Sequence, residues 1–331
     1  MSYIRLDIEN LEEVGKQVER AFLEQDRNVT KIADKVKVSK ANARKSRKLI
    51  AVDSGLNSAY ETPFVLYKAA VVDDEINVDQ SSSIYLFHVN NYQTDRLKRL
   101  LMQQTLYEAL SKKVGKGEAN GSMVLIDGTI TLKVFYPTLR DSKEYKEHFR
   151  NFYKKLYSPL LDSCLERDVL LAAFLKRTGS TYLGEHLGAK ELYDIYIMHA
   201  LLKSNGDYIP PIPIVDHQAK SIGIHQEYVT LYLNLNGWNY RFELLKEQEN
   251  KFHEAVENLL YWTTEANYGM NPVFSKADEY ARVSKREANL KFNYIIHGLP
   301  EEERTRLRME ARSRTHFGYA TTRLPRKIME S

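Results

Sequence analysis

Two short apolar runs in this sequence each close on a carboxylate. Leu49-Ile50-Ala51-Val52-Asp53 is followed by Ser54-Gly55, and Met123-Val124-Leu125-Ile126-Asp127 by Gly128-Thr129. A brief apolar run bounded by turn residues predicts a buried strand. Asp53 and Asp127 are therefore predicted to stand where a strand stops and a site can open. Two such strands would bring both carboxylates to one edge of a sheet. Like charges repel, so the pair is costly unless a proton or a cation lies between them. Hard dications such as Mn2+ or Mg2+ take oxygen ligands and keep some of their waters. Two of them about 3.5–4 Å apart can activate water and stabilise a leaving oxygen in phosphodiester cleavage.

Other residues bear on the same chemistry. Glu108 follows Leu97, Leu101 and Thr105 at helical spacing, on the face of a helix predicted from Thr94 to Lys113. A carboxylate on a face that docks on a sheet needs a partner. The partner is either a metal or Lys112, as an ordinary helical pair. A further apolar run from Asp168 ends in Lys176-Arg177-Thr178-Gly179-Ser180. Lys176 is either a point charge for a phosphate or a strand-end lysine reaching solvent. His217, His225 and His297 lack a diagnostic metal spacing and are predicted to be ordinary histidines. Trp238 and Trp262 are predicted to pack, with stacking of Trp238 on single-stranded DNA the alternative.

The elements that must position these groups are read from periodicity. Residues 3–25 carry the stripe of an amphipathic helix. Residues 29–44 have the look of a helix-turn-helix whose second helix opens at Ser39, or of a plain helical hairpin. Strands are predicted at 49–53, 63–72 and 83–89, joined as an antiparallel meander with 73–75 and 79–82 in turns. Helices follow at 140–166 and 186–203, with an irregular link at Ile209–Pro213. A hairpin is expected from Tyr228–Leu235 and Asn239–Leu245 around Asn236-Gly237. Residues 247–265 read as a helix, and the turn from Tyr268 enters another helix bearing Asp278.

The totals bound the class. The chain has 331 residues, 43% apolar and 28% charged, enough for one large domain or two ordinary ones. No run approaches the ~18 apolar residues of a membrane span, and the start lacks the pattern of a signal peptide. Cys164 stands alone, which excludes an internal disulfide and a multi-cysteine zinc site. A soluble cytoplasmic protein with no membrane partner is expected. The net charge is only +4, yet Lys and Arg crowd residues 31–48 and 304–327. Basic clusters on a near-neutral chain fit a polyanion such as DNA, or are two solvated helix faces.

The order of the acids carries a resemblance. A strand with Asp53, a meander, a helix with Glu108, a strand with Asp127 and a late helix with Asp278 follow the order of acidic ligands in the ribonuclease H-like nuclease fold. The chain resembles the NurA nuclease family of archaea, whose domain opens on a strand ending Asp-Gly-Ser. Asp53-Ser54-Gly55 stands in its place here, with the last two residues exchanged. Asp127-Gly128-Thr129 matches the family's second such motif, and Lys176-Arg177-Thr178-Gly179-Ser180 its strand ending in Lys. Gly269-Met270-Asn271-Pro272 with Ala277-Asp278 matches its late turn and helix. The resemblance spans about residues 49 to 290.

It implies an α/β, ribonuclease H-like mixed sheet with flanking helices over 49–297. N-terminal helices would fill 1–48, and a basic helix and tail 298–331. It implies Asp53, Glu108, Asp127 and Asp278 as ligands of Mn2+ or Mg2+, with Asp53 bridging two ions. Lys176 and Arg177 would lie on DNA. The function implied is a 5′ exonuclease and single-strand endonuclease. It would work as a homodimer on a HerA-type hexameric translocase in DNA-end resection and repair. Two rivals remain: a non-catalytic DNA-binding or adaptor protein on a decayed nuclease fold, and a transcription factor built on residues 29–45.

Overall fold

A computed structural model describes residues 16, 28–59, 64–87, 92–176, 179–190, 192–263, 269–305, 307 and 309. Apart from Lys16, the predicted helix 3–25 lies outside the described residues, as does the basic segment from 310 onward. In chain order the elements are β1 (Ser39–Lys40), β2 (Leu49–Ser58), β3 (Phe64–Asp73), β4 (Val78–Leu86), α1 (Tyr92–Gly115), β5 (Met123–Asp127), α2 (Lys143–Phe152), α3 (Ser158–Glu166) and β6 (Leu170–Leu175). There follow α4 (Tyr182–His186), α5 (Asp194–Leu201), β7 (Asp207–Ile214), α6 (His217–Ser221), β8 (Tyr228–Leu235), β9 (Trp238–Leu245), α7 (Phe252–Trp262), α8 (Pro272–Ala281) and α9 (Lys285–His297). The protein is mixed α/β. Among the described residues no helix is long and apolar enough to cross a membrane.

Contacts divide the chain into two compact units that interleave along the sequence. One comprises Lys48–Asp127, Leu132–Val169 and Val273–Ser331; the other Met1–Arg47, Gly128–Thr131 and Leu170–Pro272.

The first unit holds strands in the order β5-β2-β3-β4. β2, β3 and β4 form the predicted antiparallel meander, and β5 lies parallel to β2. Two expectations fail. β2 does not stop at Asp53: it continues to Ser58, with Ser54 and Gly55 paired to Ala69 and Lys68 of β3. Residues 79–82 are not a turn but part of β4, where Asp79–Ser82 pair with Val71–Lys68. Their polarity misleads because an edge strand with one solvated face keeps polar side chains. α1 packs on one face of this sheet, where Leu101 joins Val65 and Tyr67. On the other face Leu66 meets Val283 and Ala288, and Phe64 meets Phe292 of α9 at 4.8 Å between rings. The long helix predicted over 140–166 is α2 and α3 joined through a π-helical turn at Tyr153–Tyr157. Ser142 caps it by accepting from Tyr145 N–H at 3.2 Å.

The second unit holds strands in the order β1-β7-β8-β9-β6. The helix-turn-helix does not form, and a transcription factor built on it falls. Residues 28–33 are helical, but Ser39 and Lys40 pair with Tyr208 and Asp207 as β1. Ile209–Pro213 is a stretch of β7 rather than a link. Pro cannot donate to a ladder, and the register shift between Ile209 and Ile212 takes up Pro210 and Pro211. The hairpin forms as expected, with Asn236 (φ 49°) and Gly237 (φ 87°) both in the left-handed region that its tight turn demands. The helix predicted over 186–203 is instead α4 and α5, separated at residues 187–193. Asp194, fully buried, accepts from Ser180 Oγ, Tyr232 OH and Leu183 N–H, so its carboxylate holds the break together. Where 247–265 predicts one helix, a 3-10 turn over Lys246–Lys251 precedes α7.

A close electrostatic contact in the first unit is Arg96 with Asp141. Arg96 Nη1 donates to both carboxylate oxygens, at 2.6 and 2.7 Å, and Thr138 donates through N–H and Oγ1. Burial alone would raise the Asp141 pKa, but the Thr138 and Arg96 contacts outweigh it and hold the group below its ordinary value. A lowered folded-state value contributes stability above the unfolded value of about 3.9 and loses it as pH falls through the folded value. Asp141→Asn leaves Arg96 without its counter-charge and is expected to cost about 3 kcal/mol at neutral pH. Urea unfolding at neutral pH and near pH 3 should show that deficit shrinking in acid.

Candidate metal centre

Strand register brings the first two carboxylates together. Val52 pairs with Ile126 across the parallel β2–β5 ladder. Asp53 and Asp127 are thus the next residues on neighbouring strands, which run about 4.8 Å apart. β5 ends at Asp127 while β2 runs on beside β3. The predicted opening in the sheet is real, but it is the end of β5 that makes it.

Asp278 arrives from α8. Asp53, Asp127 and Asp278 each offer a carboxylate oxygen, and these atoms lie within 4.8 Å of one another. Among the described residues no other group of three His, Cys, Asp or Glu side chains meets that spacing. Asp53 is buried, and the other two are half-buried. Asp53 Oδ1 accepts from Ser54 N–H at 2.6 Å, and Asp278 Oδ2 accepts from Arg282 Nη2 at 3.2 Å. An all-carboxylate donor set with room at its rim fits a hard dication such as Mn2+ or Mg2+, and offers nothing to a soft one.

The last turn of a helix leaves carbonyl oxygens without partners, and side chains from three strands meet the carbonyl of Tyr280 in α8 and those of Arg282 and Val283 just after it. Gln80 of β4 donates to Tyr280 O at 3.2 Å, Lys68 of β3 to Arg282 O at 3.5 Å, and Asn57 of β2 to Val283 O at 3.1 Å. Beneath them β2 touches the helix end. A Cβ on Gly55 would lie 2.6 Å from Ala281 O, a distance real side chains do not adopt. Gly55 reads in the sequence as a turn residue, but its role is this close approach. Asn57, Lys68 and Gln80 carry no motif and went unforeseen, since only the folded sheet lines them up under one helix.

Glu108 does not join the three aspartates. Its carboxylate accepts from Gln104 Nε2 at 2.6 Å, not from Lys112, and Gln104 Oε1 meets His148 Nε2 at 2.8 Å. The reason is the face. Asp53 pairs with Ala70 and so shares its face with Lys68 and Leu66, which meet α9. α1 packs on the opposite face, against Val65 and Tyr67. Burial lowers the His148 pKa, opposed by the charge of Glu108. Lys176 is exposed and directly follows β6, in the second unit. Arg177 lies outside the described residues.

A second carboxylate escaped the sequence reading. Glu243 of β9 is fully buried and accepts from Thr129 Oγ1 at 2.5 Å, Ile130 N–H at 3.1 Å and Thr131 N–H at 3.4 Å, with Arg241 Nη2 at 2.8 Å. It pins the Gly128–Thr131 segment within the second unit. A lone Glu in an apolar strand was its signal, since a buried charge demands several donors.

The model of the NurA domain family matches residues 47–283. The crystal structure of the NurA nuclease from Sulfolobus solfataricus is 19% identical, with a TM-score of 0.64 over 90% of this chain and 99% of that chain. A structure of NurA bound to dAMP and manganese is 13% identical, with a TM-score of 0.59 over 91% of this chain and 99% of that one. One of NurA with manganese is 13% identical, with a TM-score of 0.57 over 88% and 99%. No curated protein matches the chain. At these identities the structural likeness shows the fold.

Gly55→Ala tests the seating of α8. The added methyl must push the Ala281 carbonyl away, at an expected cost of about 1–3 kcal/mol. Because Asp278 rides on the same helix, divalent-ion binding measured by titration calorimetry should weaken as well. Unchanged binding would show that the close approach does not set the position of Asp278.

Proposed function

The chain belongs to the NurA family, and on that premise we propose that it is a divalent-metal-dependent DNA nuclease with Asp53, Asp127 and Asp278 as metal ligands. The observation that carries this is the convergence of those three carboxylates within 4.8 Å at the end of β5. The solved NurA structures with manganese, and with dAMP and manganese, support both the metal and the substrate class. The meander of β2, β3 and β4 with β5 parallel to β2 supports a ribonuclease H-like arrangement.

A bound Mn2+ or Mg2+ supplies Lewis acidity toward the phosphodiester and a water acidic enough to attack it. The residues of the chain prepare for that. Asp53 is the most buried of the three, and its Oδ1 is already oriented by Ser54 N–H. With a metal bound, Asp53 would be among the residues that hold it. Asp127 and Asp278 flank it, one fixed by the β2–β5 ladder and the other by α8. Unneutralised, three carboxylates repel a phosphate, so a bound dication favours entry of the scissile phosphate itself. Glu108, held by Gln104, is left out of this ligand set. Lys176 and Arg177, which match the family's basic strand end, are assigned to DNA phosphates.

The finer reading follows the family: a two-metal exonuclease from 5′ ends with single-strand endonuclease action. It would be a cytoplasmic homodimer working with a HerA-type translocase in DNA-end resection. Asp53→Ala and Asp127→Ala are each expected to reduce cleavage of linear DNA in manganese to background, with the circular dichroism spectrum unchanged. Chelation by EDTA should do the same to the wild type. Full cleavage in either variant removes that residue from the site. A wild type that binds DNA and never cuts it establishes the non-catalytic alternative.

A further inference from the structure

Resting on the nuclease reading, we infer that the corner between α8 and α9, led by Arg282 with Lys285 and Arg286, is the cationic rim that receives the nucleic-acid backbone at the acidic centre. Arg282 is one helical turn beyond Asp278 and donates Nη2 to its Oδ2 at 3.2 Å. Its Cα lies 3.6 Å from where a Gly55 Cβ would stand, two residues along β2 from Asp53. The guanidinium is thus tied to one of the three clustered carboxylates, yet its side chain is 75% exposed. An exposed helical pair of this kind contributes little to stability. What it does is hold an outward-facing planar donor beside the place where a phosphodiester must sit, a geometry suited to phosphate oxygens.

Two further observations favour a polyanion at this corner. Besides Asp278, the acids near in sequence also bind other cations: Glu279 accepts from Lys276 at 2.7 Å and Glu287 from Lys68 at 3.3 Å. The first turn of α9, capped by Ser284, carries Lys285 and Arg286, both exposed, ahead of the half-buried Glu287. The ligand class is a run of backbone phosphates, with no base readout, because nothing in Arg282, Lys285 or Arg286 selects a base edge.

Anisotropy of a fluorescein-labelled oligothymidylate, titrated with the full-length chain in EDTA over a range of NaCl, reads this rim without requiring cleavage. Arg282→Ala should weaken binding and lower the slope of log affinity against log salt by about 0.7, the single-strand value for one phosphate contact. Arg282→Lys should recover most of that slope. The double variant Lys285→Ala/Arg286→Ala should lower it by about twice as much. Equal affinity and slope in Arg282→Ala overturns the rim, and if the wild type still cuts DNA in manganese the nuclease reading stands without it. A wild type that neither binds the oligonucleotide nor cuts DNA overturns both.

Discussion

Three negative charges are held at one end of a sheet against their own repulsion. At an effective dielectric near 20, two unit charges 4.8 Å apart repel by about 3 kcal/mol. Attraction between the groups cannot gather them, so the backbone must. Asp53 and Asp127 are fixed by the hydrogen-bonded ladder of β2 on β5, whose register leaves no freedom to slide without turning every buried side chain to the wrong face. Asp278 is fixed by the close seat of α8 over Gly55 and by three donors on carbonyls at and just beyond its end. The repulsion stored there is what a cation relieves.

The parts legible in the sequence were those set by local pattern. The apolar runs into Asp53 and Asp127 gave two strands because β-branched and aliphatic residues mark buried strands at short range. The Asn236-Gly237 hairpin was legible because its turn needs positive φ at both residues. What failed was set by tertiary pairing. Ser54-Gly55 looks like a turn, but strand β3 alongside converts it to strand, and Ser39-Lys40 looks like a helix start until β7 recruits it. Pro210 and Pro211 suggested a break, but a bulge absorbs them.

The same division runs through the site. Asp127 and Asp53 stand on their own strand patterns, while Asp278 needed the family's motif order to be noticed. Helical spacing put Glu108 on the stripe of α1 that holds Leu97, Leu101 and Thr105, and there it is half-buried. Spacing cannot say which face of the sheet the helix covers, and α1 covers the face away from Asp53. Glu243 and Asp194 show the complementary case. Each is a fully buried carboxylate surrounded by hydroxyl and N–H donors, organising loops of the second unit where no motif would point.

The grip at the end of α8 acts on main-chain oxygens: Gln80 takes that of Tyr280, and Lys68 and Asn57 those of Arg282 and Val283 just beyond. The scaffold therefore sets where the helix backbone sits, and the side chain at 278 sets what it presents. A histidine or glutamate substituted there would start from the same backbone position and reach a different point. Descent can retune which ion the centre prefers by changing a single codon, without rebuilding the support beneath it.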